Sequence, residues 1–446
     1  MGEAVERYRA LSFWHESVRD DLTPRAALGG DISADVAILG GGLTGLWTAY
    51  YLLKAQPGLT VVVLEKEIAG FGASGRNGGW CSALFPRSTA SLEKAHGLDA
   101  ALAMRRAMIA TVDEVGAVTA ANGIDCDFVK AGTIAFARSS VQGRAADADV
   151  AEARRYGVDS LERRENSTFD PNCARVHPAK LVRGLARTVE SLGGVIYERT
   201  EVTSWSSGRV NTASGVVSAG EVVVSLEGYG ATIAQTHRRI LPLYSLMIAT
   251  EPLADSVWDE IGIEHGQTFT DYRHLLIYGQ RTADNRFAFG GRGARYHWGS
   301  TIRAGYDRAP RVFEHLRRAL TGLFPEIADA RISHRWGGPL GVPRDWHAGV
   351  SRDAATRIST AGGYVGDGLS TTNIAGRTLA DLIFARDTAL TRLPWVGHRS
   401  PDWEVEPLRF VGANLGMLAM EAADVEERAT SRASVAARVM GPLTGH

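Results

Sequence analysis

The stretch DVAILGGGLTG, residues 35–45, decides the fold. Its first five residues, Asp35–Leu39, read as a short buried strand. The strand runs straight into Gly40, Gly42 and Gly45, spaced as G-x-G-x-x-G, and an apolar helix is predicted over Leu43–Ala55. Leu59–Glu65, LTVVVLE, then reads as a second buried strand, which completes a βαβ unit of about 30 residues. Each glycine has a physical task. Gly40 permits the tight turn, Gly42 lets backbone approach a pyrophosphate, and Gly45 lets the helix pack close to the strand. The helix N-terminus at Leu43 and Thr44 offers free N–H groups and a positive dipole end to a diphosphate. Glu65, ~20 residues beyond Gly45, ends the second strand with Lys66 beside it. A carboxylate there accepts the ribose hydroxyls of an adenosine and disfavours a 2′-phosphate. Strand, turn, helix and terminal acid together predict dinucleotide binding, FAD or NAD but not NADP.

A second glycine-rich stretch selects the cofactor. It runs Gly72, Ala73, Ser74, Gly75, Arg76, Asn77, Gly78, Gly79. A nicotinamide enzyme needs no such loop directly after the acid. A flavin needs donors near N1, O2, O4 and N5 and close backbone approach over its flat ring. A third stretch, residues 362–376, feeds a helix predicted to start near Thr371, whose positive end suits the N1–C2=O edge of a flavin.

Working outward, the chain reads as helical from about Leu92 to Asn122, strand-like over Asp125–Ala137, and helical again at Ala145–Tyr156 and His177–Leu192. From Leu241 to His297, longer strands separated by turns predict a mostly antiparallel sheet. The expected fold class is α/β, a Rossmann-type FAD-binding domain with an inserted α+β substrate domain. The expected boundaries are 1–90, 151–230 and 335–395 for the FAD-binding domain, 91–150 and 231–334 for the substrate domain, and 396–446 for a helical tail.

Bulk properties exclude other classes. A net charge of −1 over 446 residues gives no basic excess for a nucleic-acid partner. Cys81, Cys126 and Cys173 are odd in number and far apart, which predicts neither a disulfide framework nor a metal site and fits a reducing, cytoplasmic setting. The N-terminus carries charge from Glu3 onward, so no signal peptide is expected. The apolar run near residues 410–420 is shorter than the ~20 residues of a membrane helix, so no membrane partner is expected.

The three glycine stretches, with FDPNCARVHPAKLVRGLARTVESLGGVIYERTEV and the SFWHESV opening, resemble the glycine oxidase/sarcosine oxidase/D-amino acid oxidase superfamily of FAD-dependent oxidoreductases, and within it the γ-glutamylputrescine oxidase group. The resemblance implies Gly40, Gly42, Gly45 and Glu65 on the ADP half, and Ala73, Ser74, Arg76, Asn77 and Gly79 around diphosphate and flavin. It also implies Val202 on adenine through its backbone, and Gly366, Gly368, Leu369 and Thr372 along the pyrimidine edge. Three departures stand out. Asp367 occupies a position between two glycines where the family has His or another residue; a buried carboxylate there is costly unless paired, so it is expected to face Arg76, Arg292 or a cationic substrate. The sarcosine oxidase subgroup keeps a lysine near the flavin for oxygen, whereas no lysine follows Lys180 here, and Arg292 or Arg295 falls in that strand. That subgroup also tethers flavin to a late cysteine; none follows Cys173, so the FAD is expected to be non-covalent.

The expected reaction is oxidation of a small amine or amino acid to an imine by hydride transfer to flavin N5, with oxygen as acceptor. The alternatives are a dehydrogenase that passes electrons to a carrier, or a flavin-binding subunit of a larger complex. Arg292 and Asp367 are the candidate catalytic residues. Candidate aromatic walls that exclude water are Trp80, Tyr278 and Trp336, with Tyr272 and Trp298 as further possibilities.

Overall fold

The computed structural model describes residues 2–438, so the expected tail at 396–446 extends past the described residues. The strand Ile32–Leu39 lies at the centre of an eight-stranded sheet. It pairs in parallel with Val61–Leu64 on one side and Val216–Val224 on the other. Val195–Tyr197 and Ile358–Gly362 extend the parallel ladder outward. Register explains where a ligand site can form. Leu39 stands opposite both Leu64 and Val224, so these strands end at one level, where Gly40, Glu65 and Ser225 follow them. Ligands of open parallel sheets bind at such carboxyl ends.

The helix Leu43–Ala55 starts and stops where the sequence predicts. It packs against the helix Gly368–Ile383, which begins three residues before the predicted start at Thr371. That contact depends on Gly376, where a Cβ would come within 2.7 Å of the Trp47 carbonyl carbon. The predicted helix over 92–122 is two helices, Thr89–His96 and Leu98–Ala121. They break at Gly97, whose φ of +86° no helix accommodates. Met104, Met108, Val112 and Val115 of the longer helix are buried in the parallel-sheet core, together with Trp47 and Leu185.

The second sheet also has eight strands, in the order Ile332–Val342, Leu241–Thr250, Phe287–Gly291, Ile277–Arg281, Thr268–Asp271, Thr133–Phe136, Ser167–Asp170 and Glu162–Arg164. It is antiparallel except where Thr268–Asp271 runs alongside Thr133–Phe136. Residues 162–170 join this sheet, while much of 98–121 packs in the core of the parallel sheet. One face carries the helices Asp255–Ile261 and Pro310–Leu323 over a core of Phe269, Phe287, Phe289 and Leu316. No helix among the described residues is long and apolar enough to cross a membrane.

Candidate active site

A cavity of about 460 Å³ runs between the strand ends of the parallel sheet and the inner face of the second sheet. That volume is in the range of small-molecule sites. At one end stand Gly40, Gly42, Leu43, Thr44, Glu65, Lys66 and Val202. Gly40 has φ +105°, and a Cβ on it would lie 2.7 Å from the Ser225 carbonyl oxygen, so only glycine makes this turn without displacing the neighbouring strand. Gly45 does not line the cavity. A Cβ there would meet the Gly40 carbonyl at 2.2 Å, which is the close helix–strand packing read from the sequence. Glu65 turns its carboxylate onto backbone: Gly41 N–H donates to Oε2 at 2.8 Å and Glu67 N–H to Oε1 at 2.9 Å. Burial pushes this carboxyl up to about 7, against the pull of those two hydrogen bonds.

The second glycine stretch forms the middle of the wall. Gly72, Ala73, Ser74, Arg76, Asn77 and Gly78 line the cavity. Ser74 Oγ accepts a 2.9 Å hydrogen bond from Leu43 N–H, at the start of the first helix. Asn77 donates to the carbonyls of Ala73 and Ser74 and accepts from Gly79 N–H, which holds the loop in one shape. Gly79 sits behind the wall, with φ +68°, and a Cβ on it would collide with Gln280 and the Val176 carbonyl. The Arg76 guanidinium is buried, donating to the Gly337 carbonyl at 3.0 Å, to Tyr229 Oη at 3.0 Å and to Asp307 at 3.3 Å. Arg76 therefore pairs with Asp307, and Asp367 faces Arg292.

Asp367 lies at the start of the helix Gly368–Ile383, beside Gly366, Gly368, Leu369 and Thr372 on the cavity wall. Its carboxylate makes no hydrogen bond among the described residues and does not cap the helix. Burial pushes it up to about 6, and the positive charge of Arg292 pulls the other way. Arg292 donates to the Val365 carbonyl at 2.7 Å and stacks over the Trp346 ring at 5.1 Å. Across from them, Trp80 and Tyr278 lie nearly parallel, 6.5 Å apart with 15° between planes. Trp80 donates its indole N–H to Thr268 Oγ1, and Tyr278 shares a 2.7 Å hydrogen bond with Ser245. The Tyr278 ring packs on the glycine before this arginine's strand end and on the second glycine stretch: a Cβ on Gly290 would lie 2.9 Å from it, and one on Gly78 would collide with it.

The family model of DAO, FAD-dependent oxidoreductases, matches residues 35–382. The chain belongs to this family. Similar proteins include the gamma-glutamylputrescine oxidoreductase of Escherichia coli, 30% identical over 83% of this chain and 88% of that protein. The sarcosine oxidase subunit beta of an Arthrobacter species is 25% identical over 80% of this chain and 88% of that one. Among solved structures, glycine oxidase from Geobacillus kaustophilus shares the fold with a TM-score of 0.65 at 22% identity, over 82% of this chain and 99% of that one. L-proline dehydrogenase from P. horikoshii does so with 0.66 at 18%, over 83% and 96%.

The cofactor of this FAD-dependent oxidoreductase is FAD, and the wall suits it. One groove joins the acid Glu65 at one end to two helix N-termini and a glycine loop, with Gly40, Gly42, Gly366 and Gly368 leaving backbone bare along it. Three expected wall residues stand elsewhere. Trp336 is 2% exposed, packed on Phe13 and Trp14 with its indole N–H on the Arg76 carbonyl, because its strand turns that side chain away from the cavity. Tyr272 bonds Thr168 outside the cavity, and Trp298 is 56% exposed on a turn against Phe410. Arg295 is exposed. The sequence reading missed Glu227, Tyr229, Tyr244 and Asp307, all on the cavity wall. Glu227 accepts from Gly363 N–H at 3.0 Å, and burial pushes it up to about 7. The signal for Glu227 and Tyr229 was the strand EVVVS, since residues following a parallel strand face the ligand. Asp307 sits in an irregular segment with no periodic signal.

Proposed function

We propose that the enzyme oxidises a small amine or amino acid to the imine, which water then hydrolyses. The observation that carries this reading is Asp367: an unpaired carboxylate on the wall of an aromatic-sided cavity, at the helix end expected to face the flavin. A carboxylate in that place is satisfied by a cation, and an amine arrives as one. Names of relatives support the class, since gamma-glutamylputrescine, sarcosine, glycine and proline are all amines.

When bound, the flavin supplies the acceptor for hydride at N5. The protein's own residues do the rest. Gly40, Gly42, Leu43, Thr44, Glu65, Lys66 and Val202 would hold the ADP half; Ser74, Arg76, Asn77 and the Gly366–Leu369 turn would flank the diphosphate and ring. Asp367 orients the substrate nitrogen and takes its proton, since only the neutral amine has a lone pair to push hydride from carbon. Trp80 and Tyr278 exclude water from the reacting carbon. Arg292, which keeps its proton at working pH, acts as a fixed positive charge.

Oxygen is the acceptor on this reading. A second reading, transfer to an electron carrier, draws on one observation: the one lysine on the cavity wall, Lys66, lies at the Glu65 end and not beside Arg292. A screen of amines and amino acids with the FAD-loaded protein tests both. Hydrogen peroxide formed in step with amine consumption supports the oxidase. Amine consumption that requires an added electron acceptor supports the second reading, and no turnover of any amine contradicts the proposal.

A further inference from the structure

Residues 2–18 precede the family segment, yet they touch the cofactor groove at two points. The helix Gly2–Arg9 lies at its Glu65 end, where Arg7 and Leu11 line the cavity. Arg7 Nη2 donates to Glu67 Oε2 at 2.8 Å, and buried Tyr8 donates its hydroxyl to the same oxygen at 2.9 Å. Glu67 in turn donates its N–H to Glu65, the acid of the dinucleotide fingerprint. Tyr8 also packs edge-on against Phe71, another wall residue. Lys66, which also lines this end, pairs with Glu201 at 2.6 Å as Arg7 pairs with Glu67.

The second point is the back of the glycine loop. Trp14 donates its indole N–H to the Asn77 carbonyl at 2.8 Å, and Trp336 donates to the Arg76 carbonyl at 2.9 Å. Neither indole lines the cavity, so two successive loop carbonyls are held on its far side. His15 fills the space behind Gly75, where a Cβ would lie 2.8 Å from the imidazole. Burial holds this imidazole neutral, down at about 3. Trp14 and Phe13 pack with Trp336 into one aromatic cluster, which makes the support stiff.

We propose that Arg7, Leu11 and Trp14 form a clasp belonging to the FAD site: Arg7 and Leu11 close its adenosine end, and Trp14 is a positioning residue that sets the flavin loop from behind. The inference depends on FAD binding, not on the identity of the substrate. It predicts a retention phenotype without loss of fold.

The test uses the full chain, stripped of flavin and titrated with FAD by fluorescence quenching. Arg7→Ala combined with Leu11→Ala should raise the FAD Kd by about tenfold or more, because one charged contact and an apolar cover are lost. Trp14→Phe keeps an aromatic ring in the cluster and removes the N–H; it should raise Kd and shift the visible absorption of bound flavin. Arg9→Ala is the control, since Arg9 donates to the carbonyls of Val18 and Asp20 and does not line the cavity. Near-UV dichroism of each apoprotein checks the fold. A Kd within about twofold of the parent for the Arg7/Leu11 double variant overturns the clasp. So does a Trp14→Phe protein whose Kd and flavin spectrum are both unchanged, even if its Tm falls. Should Trp14→Phe not fold, the double variant alone decides. A parent chain that binds no FAD would strike at the cofactor assignment instead.

Discussion

At the scale of single residues, Arg292 and Asp367 form the chemically unusual part of the cavity. They carry opposite charge and face one cavity without a direct ion pair: Arg292 spends its hydrogen bond on Val365, and Asp367 has none among the described residues. Losing a charged contact to a transition state costs about 2–4 kcal/mol. Arg292→Ala should therefore lower kcat/KM at least about tenfold while FAD stays bound, as steady-state kinetics with a flavin count will show. Asp367 gives a pH signature. Burial raises its carboxyl to about 6, opposed by Arg292, so the carboxylate forms as pH rises through that value. If the carboxylate receives the amine, kcat/KM falls about tenfold per pH unit below that point. Asp367→Asn should remove this acid limb and lower kcat/KM at neutral pH. An acid limb that survives the substitution would assign the ionisation to another group.

The elements were legible to different degrees, for physical reasons. The helix Leu43–Ala55 and the strands beside it are apolar on every face, because helices cover both sides of a parallel sheet, and such runs read plainly. The break at Gly97 did not stand out, since one glycine inside a helical pattern is often tolerated. Trp336 shows the limit at the site. A tryptophan in a strand is equally plausible on either face, and only register decides that it supports Arg76 from behind. Arg292 and Trp80 were found because each directly follows a glycine run; Asp307 was not, because it touches Arg76 across 231 residues of sequence. One packing prediction belongs here. Gly376 lets two helices meet backbone to backbone, so Gly376→Ala should cost about 1–3 kcal/mol and lower Tm. Gly412→Ala, on the helix Leu408–Thr430 with nothing within 4 Å, should instead raise stability by up to about 1 kcal/mol. Thermal melts of the two variants should move in opposite directions.

At the scale of the whole molecule, two sheets close on one groove, and on the proposed reading the cofactor spans it. The parallel sheet supplies strand ends and helix N-termini to its wall, and the second sheet supplies Tyr244, Ser245, Tyr278 and Arg292. Cys81, Cys126 and Cys173 are buried and none lines the cavity. Acid precipitation should therefore release free yellow flavin into the supernatant; colour retained in the pellet would mean a covalent link. The central claim is that an amine hands hydride to FAD in this cavity, and it is tested most directly without any electron acceptor. The FAD-loaded protein is mixed anaerobically with a panel of amines and amino acids, and with matched compounds in which a hydroxyl replaces the amine. The account predicts that at least one amine bleaches the visible flavin absorbance in a single turnover, that its hydroxyl analogue does not, and that Asp367→Asn slows the bleaching. Bleaching by the hydroxyl compounds alone, or by none of the amines, would contradict it.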